Sequence, residues 1–81
     1  MIIWIVLKNE VWDGETWDMV CGAFFNEEDA EAELKARRDS LYEEWKDEFI
    51  EEDSVKGFYA YREGEYLYYH VNLYMEHVEL Q

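Results

Sequence analysis

From its second residue the chain reads Ile2-Ile3-Trp4-Ile5-Val6-Leu7, an unbroken β-branched and aromatic run. A run apolar on both faces predicts a strand placed centrally in a sheet. Lys8, Asn9 and Glu10 mark its emergence into solvent. Asp13-Gly14 then suits a two-residue type I′ turn, whose two central positions both need positive φ. That turn pairs Val11 with Thr16 and Trp12 with Glu15. Strict continuation sets Leu7 beside Val20, Ile5 beside Gly22 and Ile3 beside Phe24. Ile3, Ile5, Leu7, Val20 and Phe24 then share one face, and Ile2, Trp4, Val6, Cys21, Ala23 and Phe25 the other.

After the hairpin the period changes to that of a helix. Asn26 is a suitable N-cap, Asp29 stands at the reciprocal capping-box position, and Glu27, Glu28 and Asp29 favour the positive end of the helix dipole. Ala30, Leu34, Leu41, Trp45 and Phe49 recur at helical spacing as a buried stripe. Arg37 or Arg38 fills the gap with its stem on the sheet. Glu31–Lys35 and Glu33–Arg37 are favourable i,i+4 pairs. The chain has no proline, so the pattern predicts one long helix from Asn26 to Asp53, fraying among Glu51, Glu52, Asp53 and Ser54.

Gly57 to Arg62 alternates as a third strand, Glu63-Gly64 supplies a turn, and Glu65 to about Leu80 returns, with a bulge or break expected near His70–Asn72. Tyr59, Tyr61, Tyr66 and Tyr68 fall on one face, with Phe58, Ala60, Leu67 and Tyr69 on the other. Val71, Leu73 and Met75 continue the alternation, with His70, Asn72 and Tyr74 opposite. The expected architecture is a single α+β domain over residues 1–81, of order ββαββ. Its antiparallel sheet has one long acidic helix packed on one face. The uncovered face, assigned Trp4, Val6, Tyr59, Tyr61, Tyr66 and Tyr68, is a candidate homodimer face.

Composition changes this picture in one respect. Apolar residues make up 49% and aromatics 19% of the 81 residues, which supports a core and excludes a disordered acidic tail. Against that background, 21 acidic and 7 basic residues leave a net charge of −14. A direct nucleic-acid binder needs a basic footprint, and an anionic membrane needs the same; the chain offers neither. Self-repulsion at this charge is relieved by salt or by a cationic partner. The single cysteine, Cys21, forms no internal disulfide and no cysteine-based zinc site. The apolar run at residues 2–7 is too short to span a bilayer and has no basic flank or cleavage-like site. The expected setting is the cytoplasm of a host cell.

Two resemblances add to this reading. Gly22-Ala23-Phe24-Phe25-Asn26-Glu27-Glu28-Asp29-Ala30-Glu31-Ala32-Glu33-Leu34 resembles a strand–cap–helix pattern found in many small bacterial and phage proteins. It implies that structural unit with no activity attached. The size and acidity resemble phage-encoded inhibitors of host defence that imitate DNA, such as anti-restriction and anti-CRISPR proteins. That likeness is compositional and implies a basic nucleic-acid-binding partner.

The physical case for DNA mimicry rests on the expected helix. About 27 residues span about 40 Å at 1.5 Å per residue. The stretch from Asn26 to Asp53 holds 13 of the 21 carboxylates, opposed by Lys35, Arg37, Arg38 and Lys46. That is about one carboxylate per 3 Å, near the roughly 3.4 Å phosphate spacing of one DNA strand. The candidate contact residues are Glu43, Glu44, Asp47, Glu48, Glu51, Glu52 and Asp53, with Tyr42 as a flanking aromatic. A second candidate patch is Asp13, Glu15 and Asp18 at the hairpin tip. The bland alternative is a solvated helix face, which charge runs usually are.

Catalytic and metal chemistry find little support. His70 and Glu76 fall on one strand face, with His77 and Glu79 on the other, so they build no compact metal shell. Cys21 sits mid-strand among apolar neighbours, as a small hydrophobe does. No glycine-rich phosphate loop is present. Tyr59, Tyr61, Tyr66, Tyr68 and Trp4 suggest base stacking, but their charged neighbours are negative. The expectation is a non-enzymatic protein without cofactor or metal that occupies the basic nucleic-acid site of a target. The alternatives are a homodimeric structural or regulatory domain and a small-molecule-sequestering protein.

Overall fold

The computed structural model describes residues 1–63 and 68–80. Six elements follow one another: β1 (Ile2–Trp12), β2 (Glu15–Phe24), α1 (Glu27–Trp45), β3 (Phe49–Ser54), β4 (Gly57–Glu63) and β5 (Tyr68–Glu79). The fold is α+β. All five strands form one antiparallel sheet in the order β2-β1-β5-β4-β3, and α1 packs on one face. The apolar run of β1 lies between β2 and β5, as its composition predicted. The molecule is a slab of 47 × 22 × 15 Å, which follows from covering only one side of a sheet.

The hairpin forms at the expected turn. Asp13 has φ 50° and Gly14 φ 79°, the positive values a type I′ turn requires. Val11 pairs with Thr16, Trp12 with Glu15 and Leu7 with Val20. Beyond Leu7 the register shifts: Val6 pairs with Gly22, Ile5 with Ala23 and Trp4 with Phe24. Cys21 is therefore an inserted bulge residue. Gly22 permits this arrangement, because a Cβ there would lie 2.7 Å from the Phe24 ring.

The bulge corrects the expected faces. Phe24 turns to the side of Trp4, where both pack against the core, and Val6 is fully buried. Trp4 and Val6 thus lie beneath the helix and not on the uncovered face. Ile3, Ile5 and Leu7, the alternate residues of β1, point the other way.

Helix α1 begins as expected. Asn26 is the N-cap, its side-chain oxygen accepting from the Glu28 N–H at 2.8 Å. Ala30, Leu34, Leu41 and Trp45 are its buried residues. Arg38 fills the gap between Leu34 and Leu41 and reaches β3. Its Nε lies 3.4 Å from an Asp53 carboxylate oxygen, and its Nη1 donates to the Ser54 carbonyl. Arg37 instead bonds Glu33 at 2.8 Å. Lys35 pairs with Asp39, also at 2.8 Å, and not with Glu31.

The helix ends at Trp45, well short of Asp53. Its last turn contains no basic residue, and Glu43, Glu44, Asp47 and Glu48 oppose its negative end. Phe49–Ser54 gains backbone partners by joining β4 as a fifth strand. Ile50 then packs on the core, while Phe49 stays 61% exposed. The expected ββαββ order therefore gains a strand.

The core comprises Val6, Ala30, Leu34, Leu41, Trp45, Phe58, Ala60, Val71 and Leu73. Trp12 closes one end, its ring 4.8 Å from Tyr69 and 6.5 Å from Trp45. Phe58, Ala60, Tyr69, Val71, Leu73 and Met75 all belong to this side, as their alternation predicted. Strand β5 keeps a regular register with both β1 and β4 through His70–Asn72, so the expected break there is absent. The expected turn at Glu63-Gly64 and the placements of Tyr66 and Leu67 fall outside the described residues.

Candidate functional site

The proposed acidic contact set is divided among three settings. Tyr42, Glu43 and Glu44 stand exposed on the last turns of α1. Asp47 and Glu48 lie in the connection to β3. Glu51, Glu52 and Asp53 are exposed on β3, the edge strand. The set is not one helix face, and the helix has 19 residues, which at 1.5 Å per residue is about 28 Å long. Single-helix spacing cannot therefore imitate about 40 Å of phosphates.

Folding back does bring acids from two elements together. Asp39, Tyr42 and Glu43 on α1 line a groove with Asp53 on β3, of about 300 Å³. The Arg38 contacts to Asp53 and Ser54 hold the two walls in register. A second groove of about 450 Å³ continues along the same flank, lined by Glu28, Glu31, Ala32, Lys35, Arg38 and Val55.

Several of these carboxylates have partners within the chain. Glu48 accepts from Arg62 Nε at 2.9 Å, and Glu43 lies 3.3 Å from Lys46. Glu52 accepts from Ser54 Oγ at 3.2 Å. The Asp39 carboxyl is held below its ordinary range, chiefly by the hydrogen bond from Lys35. The Arg37 guanidinium is raised, chiefly by its hydrogen bond to Glu33. Glu44, Asp47 and Glu51 are exposed. Among the described residues no charged side chain is buried.

The hairpin-tip patch is also divided. Asp13 is in the turn, and Asp18 accepts from Asn9 Nδ2 at 2.6 Å. Glu15 opposes Trp12 on the helix side of the sheet. No step of the alternation brings the three carboxylates to one point.

The uncovered sheet face is the other candidate surface. Tyr59 and Tyr61 lie on it, half-buried, as expected. Tyr66 and the side chain of Tyr68 lie outside the described residues. Tyr74 joins Tyr59 and Tyr61, as the alternation of β5 predicted, whereas sequence reasoning missed Ile3, Ile5, Leu7, Val11 and Val20 as the remainder of this face, and also Phe49. Tyr59 Oη lies 3.2 Å from His70 Nδ1, and Phe49 stacks on Tyr61. The alternation from Val11 upward carried the signal, but choosing the covered face required knowledge of the bulge.

His70 and Glu76 occupy this face, whereas His77 packs against Trp4 on the other, ring centres 5.1 Å apart. No group of three or more histidine, cysteine or acidic side chains is arranged to hold a metal among the described residues. No described helix is long and apolar enough to cross a membrane. No protein-family model, curated protein or solved structure matches the chain.

Proposed function

We propose that the protein is a non-enzymatic interaction protein whose acidic surface occupies the basic nucleic-acid-binding surface of a partner. The observation that carries this reading is the α1–β3 groove, which Asp39, Glu43 and Asp53 line together with Tyr42. Each of these carboxylates already lies beside one cation of the chain. Its remaining lone pairs suit a further guanidinium or ammonium group, and the tyrosine ring gives that group's stem or cation a face to pack on. The net charge of −14 attracts a cationic partner from a distance and repels nucleic acid itself. A nucleic-acid-binding protein of host defence, met in the host cytoplasm, is the partner class that the resemblance in size and acidity implies.

The mimicry in this reading is of charge and not of helical phosphate spacing. The acids run along the outer side of α1 and continue across the connection onto β3. They form a bent ridge which a basic cleft could embrace. The test is a triple reversal, Glu43→Lys with Glu44→Lys and Glu51→Lys, at three exposed sites. Binding to a basic partner captured from a bacterial lysate is then measured against salt. The expected result is at least ten-fold weaker binding and a shallower salt dependence, with the circular dichroism spectrum unchanged. Equal affinity and equal salt dependence in the variant contradict the proposal.

A further inference from the structure

The helix covers one side of a five-stranded sheet and leaves the other side open. Strand register defines what that side presents. One cross-strand row is Val20, Leu7 and Tyr74; the next is Asp18, Asn9, Asn72 and Tyr59. A third row carries Thr16, Val11, His70, Tyr61 and Phe49. Toward the β1 N-terminus come Ile5 beside Glu76 and Ile3 beside Val78. The result is an apolar and aromatic field crossed by one polar row.

We infer that this face is the contact surface for a second copy of the chain, packed sheet to sheet about a two-fold axis. This inference stands apart from the acidic-ridge reading and uses different residues.

Area is the first argument. Five strands at about 4.8 Å spacing, with about nine residues each at about 3.3 Å, present on the order of 700 Å². A stable interface of ordinary size buries about 800 Å² per partner. The face is therefore close to the size that a stable dimer needs.

Charge is the second argument. Among the residues whose side chains are described, the acids that strand pairing places on this side are Asp18, Glu52 and Glu76. Asp18 and Glu52 sit on the two edge strands, and Glu76 lies beyond the last β4 pairing at Gly57–Tyr74. All three are rim positions around an uncharged centre, the arrangement of a protein–protein interface. A cationic partner is drawn to the acids elsewhere, and an anionic membrane or nucleic acid is repelled by the molecule as a whole. A second copy meets the least repulsion here and brings the same uncharged centre.

The polar row supports a self-complementary match. Asn9 and Asn72 are paired neighbours on the inner strands β1 and β5. A carboxamide is both donor and acceptor; Asn9 uses one amide hydrogen on Asp18 of its own chain, and its carbonyl and second hydrogen, with the Asn72 carboxamide, can pair across a two-fold axis. A buried amide of this kind fixes register, as a single polar residue does in a coiled coil.

Sedimentation equilibrium of the full chain tests this, at low and high salt. The expected mass is twice the 9.9 kDa of one chain. The dimer is expected to strengthen with salt, because screening relieves repulsion between two acidic copies. Binding of a basic partner to the acidic ridge weakens under the same change, so the two claims fail separately. Leu7→Lys is expected to give a monomer with the native circular dichroism spectrum. Val20→Lys, at a side chain already 64% exposed, keeps the fold safe and is expected to weaken the dimer at least ten-fold. In the wild-type protein, isotope-filtered contacts between Leu7 or Val20 methyls and the Tyr74 ring of the other copy are expected. A monomer at every concentration overturns the inference, including one whose open face takes up a different apolar partner. A dimer indifferent to Val20→Lys and lacking those contacts overturns it as well.

Discussion

Phe49 lies face to face on Tyr61, ring centres 5.3 Å apart and planes 18° from parallel, on the sheet face opposite the helix. The helical period set Phe49 as the next core position after Trp45. Its stacking on Tyr61 shows that the chain has instead turned back and become a strand. Core energetics separate these two placements. Leu34→Ala, at a fully buried helix position, is expected to cost about 3 kcal/mol. Phe49→Ser is expected to cost about 1 kcal/mol, the scale of one aromatic pair. Urea unfolding of the two variants checks the contrast; equal losses would return Phe49 to the core.

Gly57 faces the backbone of β5 so closely that a Cβ would collide with the Leu73 carbonyl oxygen. Neither group is the free end of a flexible side chain, so the strands must part. Gly57→Ala is expected to destabilise the protein by about 2 kcal/mol, in the range of overpacking. Gly14→Ala meets no neighbouring atom within 4 Å but places a side chain at φ 79°. Its cost comes from the backbone alone and is expected near 1 kcal/mol. Thermal unfolding of both variants orders the two effects.

Arg38 ties α1 to β3 through Asp53 and the Ser54 carbonyl. Arg38→Met keeps most of the stem and removes the charged donors. A loss of about 1–2 kcal/mol is expected, the scale of a hydrogen bond to a charged group. Faster amide hydrogen exchange in Phe49–Ser54 should accompany it, because β3 has β4 as its one sheet neighbour. Unchanged exchange in β3 would show that the arginine does not hold the strand.

Asp39 is expected to titrate below the ordinary carboxylate range because Lys35 donates to its ionised form. A depressed folded-state pKa adds stability that is complete above the unfolded-state value. That stability fades as pH falls through the folded-state value. Asp39→Asn should therefore be slightly less stable than wild type at neutral pH and equal to it in strong acid. The effect is small, since the pair is exposed to solvent. Carbon-detected titration of the carboxyl measures the shift directly.

Much of this architecture was legible along the chain. Asp13-Gly14 fixed the near half of the hairpin, because positive φ at both positions leaves few alternatives. Asn26 marked the start of the helix, and the alternation from Phe58 through Met75 identified the side of β4 and β5 that packs in the core. The bulge at Cys21 was hidden because both faces of β1 and β2 are apolar there, so a one-residue slip left the pattern unchanged. The end of the helix was hidden for a related reason. Neither glycine nor proline stops it, and Phe49 prolongs its period by chance. Strand β3 exists through its pairing with β4, a contact that residues 49–54 do not announce. Of the candidate surfaces, the acids were legible as a number but not as a shape.

The central claim is that the acidic surface takes the place of nucleic acid on a basic partner. Its most direct test is capture on immobilised wild-type protein from a bacterial lysate, followed by elution with duplex DNA. The account predicts that a defined nucleic-acid-binding protein is retained at low salt, released by the DNA and not retained by the triple charge-reversal variant. A captured protein that duplex DNA fails to release, or that the variant retains equally well, would contradict it.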